Sequence, residues 1–142
     1  EYGRSLFFHS GKVANVLSAT NIQGLQAAMP ADGHIAILIS HTGENERLVE
    51  IAKMLRKNKT KVIVLTSKTE GTLAPYADEL LYAAGQKKVE EFWSSMFFAS
   101  GKYLLDILYG MEFSRRYEEN LKLNKKYEQS GEKLLWGLIE DI

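Results

Sequence analysis

IAILISHTGENERLVEIAKML, residues 35–55, changes its hydrophobic period halfway along. Residues 35–40 (IAILIS) are a short, continuously apolar run rich in β-branched side chains, the pattern of a strand covered on both faces. Beyond the turn, Leu48, Ile51, Ala52 and Leu55 recur at helical spacing, while Glu46, Arg47, Glu50, Lys53, Arg56 and Lys57 fall mostly on the other face. A second apolar run, VIVLT at 62–66, follows. Strand, helix and strand make a βαβ unit, whose helical crossover places the two strands side by side and parallel. Both read as interior strands.

The flanks repeat this alternation. Val13 to Leu17 is a candidate strand, Ile22, Leu25 and Met29 form a helical stripe, and Pro30-Ala31-Asp32-Gly33 is a turn feeding residue 35. Thr72 to Tyr76 reads as a short helical turn and Glu79–Ala83 as a last strand. The expected fold class is therefore α/β, a three-layer α-β-α sandwich around a parallel sheet. Val89–Met111 then supplies apolar residues on a broad face, with Ala99, Ser100 and Gly101 among them, and predicts a long buried helix. Residues 112–133, rich in Lys, Glu, Asn and Tyr, read as a solvated C-terminal helix. Its apolar end, Leu134, Leu135, Trp136, Leu138 and Ile139, needs a surface to cover, on this domain or on a partner subunit.

The chain has 142 residues, within single-domain range, and 18 Lys and Arg against 18 Asp and Glu give a net charge of zero. That balance leaves no electrostatic footprint for nucleic acid. No apolar stretch approaches the roughly 20 residues that span a bilayer, and the N-terminus lacks a signal-peptide pattern. The absence of cysteine excludes disulfides and thiolate chemistry and agrees with a cytoplasmic setting. The first residue is Glu1 rather than Met, so the chain is expected to belong to a longer polypeptide.

Ligands of open α/β sheets bind beyond the carboxyl ends of the strands. The turn Ser40-His41-Thr42-Gly43-Glu44-Asn45 lies at such an end and opens a helix, whose N-terminal N–H groups attract an anion without a basic side chain. Ser40, Thr42 and Asn45 add short polar groups, and Gly43 lets backbone approach an oxygen closely. The same residues fit a plain helix cap by Thr42 or Ser40 equally well.

ISHTGENERLVEIAK, residues 39–53, resembles the fingerprint of the SIS (sugar isomerase) domain family, S-x-S-G-x-T-x-E followed by a helix with an Ala-Lys pair. Ser40 and Gly43 match, Thr42 and Asn45 replace a Ser and a Thr, and Arg47 stands at the Glu. Ala52-Lys53, Thr66 closing VIVLT, TLAPYADELL at 72–81 and Asp106 in LLDILYG fall in the family's order. The pattern is most similar to the effector half of RpiR-type transcriptional regulators, and FSRRYEENLKLNKKYEQS, residues 113–130, resembles the polar helix that follows their SIS domain. The resemblance implies a flavodoxin-like SIS domain over residues 1–115, a helical extension over 116–142, and a phosphosugar-sensing role. It implies phosphate on Ser40, His41, Thr42, Gly43, Glu44 and Asn45, completed by Thr66 and Thr72. It also implies a homodimer or higher homo-oligomer, DNA contact only through a domain not in this chain, and a first strand with a Gly/Ser loop preceding Glu1. Two alternatives stay open: an aldose-ketose phosphosugar isomerase, and a degenerate SIS fold kept for dimerisation.

An isomerase needs a base, and the family's Glu before the long helix falls near Lys87, with Glu90 and Glu91 as weak catalytic candidates. Those two also suit the acidic first turn of a helix. His9, His34 and His41 have no metal-ligand spacing, so no metal and no cofactor are expected, and the His41 ring is expected to face outward. Phe92, Trp93, Phe97 and Phe98 read as core or dimer contact, and Lys122, Lys125 and Lys126, balanced by Glu118, Glu119 and Glu128, as a solvated face.

Overall fold

The computed structural model describes residues 1–85 and 93–140, with the side chains of Thr20, Trp93 and 132–140 outside the description. The predicted positions at Lys87, Glu90, Glu91 and Phe92, and the apolar side chains after residue 133, lie outside the described residues. In chain order the elements are α1 (Tyr2–Phe8), α2 (Thr20–Ala28), β1 (Ile35–Ile39), α3 (Glu46–Lys57), β2 (Lys61–Thr66), β3 (Glu79–Tyr82), α4 (Trp93–Arg115) and α5 (Tyr117–Glu140), with a 3-10 turn at Ala74–Tyr76 before β3. Two compact units emerge, residues 17–104 and residues 1–16 with 105–142. No helix among the described residues is long and apolar enough to cross a membrane.

The first of these carries the sheet, three parallel strands in the order β1-β2-β3, with Ile37 opposite Ile63 and Ile63 opposite Glu79. Because side chains alternate across a strand, β2 serves two cores at once. Val62 and Val64 point to one face, where they meet Ala27 of α2, Leu38 of β1, Ile51, Ala52 and Leu55 of α3, and Leu73. Leu65 points to the other face and packs with Ala83, Phe97 and Leu104. Helices on both faces of a parallel sheet make the three-layer sandwich that the alternation predicts. Full burial of side chains such as Leu65 and Leu73 contributes about 1.5–3 kcal/mol each.

Helix α3 is the most completely specified element. Asn45 caps its first turn, Glu46 sits at the positive end of its dipole and Arg56 and Lys57 at the negative end. It closes with Lys59 at φ 59°, whose N–H reaches Arg56 O at 2.9 Å while the Thr60 N–H reaches Leu55 O at 2.9 Å. The Asn58 side chain donates to the carbonyls of Ala27 and Ala28, at 3.0 and 3.2 Å, tying the end of α2 to the end of α3.

Four expectations are corrected. β1 is an edge strand among the described residues, with Ile35, Ile37 and Ile39 exposed on one side. An uninterrupted apolar run looks the same whether or not a neighbour covers it. Val13–Leu17 forms no strand, because Val13 and Val16 are exposed and no described chain segment offers them a hydrogen-bonded ladder. The stripe Ile22, Leu25 and Met29, the last just beyond the end of α2, is exposed, and small Ala27 is buried, packed in the core with Ile51, Ala52 and Leu55. Residues 112–115 belong to α4 rather than to the last helix, the break falling at Arg116, whose N–H turns back to Phe113 O.

Within the other unit, the Tyr2 hydroxyl donates to the Asp106 carboxylate and Lys12 pairs with Glu112 at 3.1 Å. The His9 ring contacts the Asn124 side-chain oxygen at 2.6 Å, and Asn124 in turn donates to His9 O at 2.8 Å. Phe8 stacks on Tyr127, and buried Asn120 donates to Phe113 O at 3.0 Å.

Candidate functional site

Parallel strands bring their carboxyl ends to one edge of the sheet, and here those ends are stitched sideways. Ser40 N–H donates to Leu65 O at 3.0 Å, Ser67 N–H to His41 O at 3.1 Å and Ala83 N–H to Thr66 O at 2.9 Å. The turn at residues 40–45 rises from this edge into α3.

Inside the turn, side-chain oxygens accept from the backbone. Ser40, buried, accepts the Gly43 N–H on Oγ at 3.2 Å, and Thr42 accepts the Glu44 N–H on Oγ1 at 3.3 Å. Asn45 accepts the Leu48 N–H on Oδ1 at 3.1 Å, so the helix cap is Asn45 and neither Thr42 nor Ser40. The turn thus holds an oxygen on donors that a phosphate oxygen would also satisfy.

Gly43 is the pivot. Its φ is +67°, and its carbonyl accepts from the Leu73 N–H at 3.0 Å and the Thr72 hydroxyl at 3.3 Å. A β-carbon on Gly71 would lie 2.9 Å from Gly43 O, and one on Gly43 would lie 3.1 Å from Thr66 Oγ1. Residues 66–72 are therefore pressed against the turn, bringing Thr66 and Thr72 to it. Thr66, fully buried, donates from Oγ1 to His41 O at 3.3 Å and accepts the Lys68 N–H at 3.2 Å, so it braces the turn from behind. Thr72 sits at the front, its hydroxyl also 2.9 Å from a Glu44 carboxylate oxygen.

His41 does not face outward. Its ring nitrogens are buried, its ring packs edge-on against Phe97 of α4 at 4.7 Å, and a β-carbon on Gly85 would meet Nε2 at 2.8 Å. Glycine at 85 leaves the room that lets a polar ring enter the apolar layer under α4, and nothing in the spacing of the turn shows this. Ser67, Lys68 and Gly71 are participants that the sequence reading passed over. Ser67 Oγ donates to His41 O at 2.6 Å. Their marker was the polar, glycine-bearing run TSKTEGT at 66–72, directly after a strand.

Beside Thr72 runs a groove of about 340 Å³ lined by Glu46, Val49, Glu50 and Lys53. Lys53 is bound to Glu50 at 2.6 Å, and that hydrogen bond raises its pKa above the ordinary lysine value. Two acids against one paired lysine give the groove no net positive charge. Among the described residues no group of three His, Cys, Asp or Glu could hold a metal ion.

This strand-end geometry meets an independent finding: the family model for the SIS domain matches residues 1–101. The chain belongs to the SIS domain family. The SIS chain is 44% identical over 46 residues to the HTH-type transcriptional regulator HexR of Escherichia coli K12, a stretch covering 32% of the chain and 16% of HexR. Its fold matches the Vibrio vulnificus NanR protein complexed with ManNAc-6P at a TM-score of 0.74 and 19% identity, over 89% of the SIS chain and 48% of NanR. It also matches E. coli CFT073 c3406 in complex with a phosphosugar at a TM-score of 0.58 and 19% identity, over 78% of the SIS chain and 62% of that protein. The matches thus span a minor part of HexR and about half of NanR.

Proposed function

We propose that this chain is the phosphosugar-binding effector domain of an RpiR-type transcriptional regulator of carbohydrate metabolism. Residues 1–115 form the SIS domain and residues 116–142 a helical extension. The observation that carries the reading is the turn at residues 40–45, pivoted on Gly43 at the carboxyl edge of the sheet, with the hydroxyls of Ser40, Thr42 and Thr72 around it. A phosphate there exchanges the turn's internal oxygens for its own at the Gly43 and Glu44 N–H groups, with Thr42, Asn45 and Thr72 adding side-chain contacts. Thr66 and Ser67 hold the His41 carbonyl and keep the turn in place, and the His41 ring hands any movement of the turn to Phe97 of α4.

The regulator relative supports the regulatory role, and the two solved structures holding phosphosugars support this substrate class. DNA contact belongs to another domain, and the regulator works in the cytoplasm as a homodimer or higher homo-oligomer. A thermal-shift panel of ManNAc-6P, pentose phosphates and other sugar phosphates tests the reading. A ligand at about 100 times its Kd stabilises the fold by about 2.7 kcal/mol. No shift with any sugar phosphate, or an unchanged shift in the double variant Ser40→Ala, Thr42→Val, would sink it.

A further inference from the structure

The Glu44 carboxylate does not point away from the turn. One of its oxygens, Oε2, takes the Thr72 hydroxyl at 2.9 Å and the Thr72 N–H at 3.4 Å. Two donors of Thr72, the hydroxyl shared with Gly43 O, converge on one anionic oxygen as they would on a phosphate oxygen. The chain supplies that anion itself.

The contact is built to break. Glu44 and its bonds to Thr72 are exposed, so water and salt weaken them, and rotation of an exposed side chain takes nanoseconds or less. The donors themselves stay put, because Gly71 packs on Gly43 with no room for a β-carbon and Leu73 N–H holds Gly43 O at 3.0 Å. A phosphate monoester, carrying a charge of about −2, repels the carboxylate from the same few ångströms.

We propose that Glu44 is a displaceable internal anion: its carboxylate occupies the Thr72 donors in the ligand-free protein and is expelled when a sugar phosphate enters the turn. This rests on the phosphosugar reading above and assigns Glu44 the role of competitor rather than of phosphate contact. Expulsion leaves a negative side chain beside a bound dianion, so Glu44 lowers affinity and reserves the site for ligands that can displace a carboxylate. The penalty is electrostatic and fades with salt, since the Debye length falls from about 10 Å at 0.1 M to about 3 Å at 1 M.

The test titrates wild type and Glu44→Gln with ManNAc-6P, a pentose phosphate and inorganic phosphate by calorimetry at both salt concentrations, and records amide spectra of wild type and Glu44→Ala without ligand. Glu44→Gln is expected to bind about threefold to tenfold more tightly at 0.1 M salt, the gain shrinking at 1 M. In the ligand-free spectra the Thr72 amide resonance is expected to move in Glu44→Ala. An unmoved Thr72 amide overturns the contact. Equal or weaker binding by Glu44→Gln, with wild type responding, overturns the displacement alone and returns Glu44 to the ligand contacts. No phosphate response from either protein, with the Thr72 amide moving, overturns the phosphosugar reading and the displacement together.

Discussion

Alanine at Gly33, Gly43 and Gly71 separates two causes that a glycine-rich site usually confounds. Gly33 has φ +74° and open space where a β-carbon would go, so Gly33→Ala carries the left-handed backbone cost alone, about 1–2 kcal/mol. Gly71 lies outside that region, but its β-carbon would stand 2.9, 3.1 and 3.2 Å from Gly43 O, C and Cα. All three neighbours are backbone, so Gly71→Ala must force the two segments apart, at about 1–3 kcal/mol. Gly43→Ala combines φ +67° with a contact 3.1 Å from Thr66 Oγ1, and is expected to cost about 2–4 kcal/mol. Urea unfolding with m held constant measures each loss, and the sugar-phosphate thermal shift reads the site. Gly33→Ala should keep its ligand response while the other two lose theirs. If Gly71→Ala matches wild type in both assays, the close approach of the two segments does not shape the turn and the reasoning fails.

Lys59→Gly should stabilise the protein by about 1 kcal/mol, since a lysine now holds the left-handed position after α3; an unchanged midpoint in urea would contradict this. Asn45→Ala removes the acceptor for Leu48 N–H and should cost about 1 kcal/mol, with Asn45→Ser recovering most of it in the same assay. Asp78 accepts the Val62 N–H at 2.8 Å and the Lys61 ammonium at 3.3 Å, which hold its pKa below the ordinary 3.8. A carboxyl depressed in the folded state stabilises fully above its unfolded pKa and loses that contribution as pH falls through the folded value. Asp78→Asn should therefore flatten the decline of thermal stability with pH below about pH 4, and a decline parallel to wild type would assign the acid limb to other groups.

The βαβ unit was legible because its two periods differ and its cap, stripe and dipole charges agree with one another. β1 was legible as a strand but not as an edge, since Ile35, Ile37 and Ile39 carry no mark of what lies beside them. The failure at α2 has the same root. Ile22, Leu25 and Met29 make a plausible stripe, yet the helix buries Ala27, and its end is fixed by Asn58 from 30 residues downstream. Of the site, residues 40–45 stood out as one turn. Thr66 and Thr72 came from family resemblance, because their arrival depends on the register that sets Ile39 beside Leu65. Ser67, Gly71 and the inward ring of His41 depend on that register and on the space over Gly85, which no spacing rule encodes.

The two halves of the turn also meet late. Glu44 and Thr72 are 28 residues apart, and all of α3 and β2 must be laid down between them before Leu73 N–H can reach Gly43 O. A ribosome-bound chain that ends within α3 has the loop of residues 40–45 but none of the residues that press on it. The turn thus reaches its folded form only in chains that have been made as far as Leu73. Pulse-labelled hydrogen exchange during refolding should show the Leu73 amide, which donates to Gly43 O, becoming protected after those inside α3.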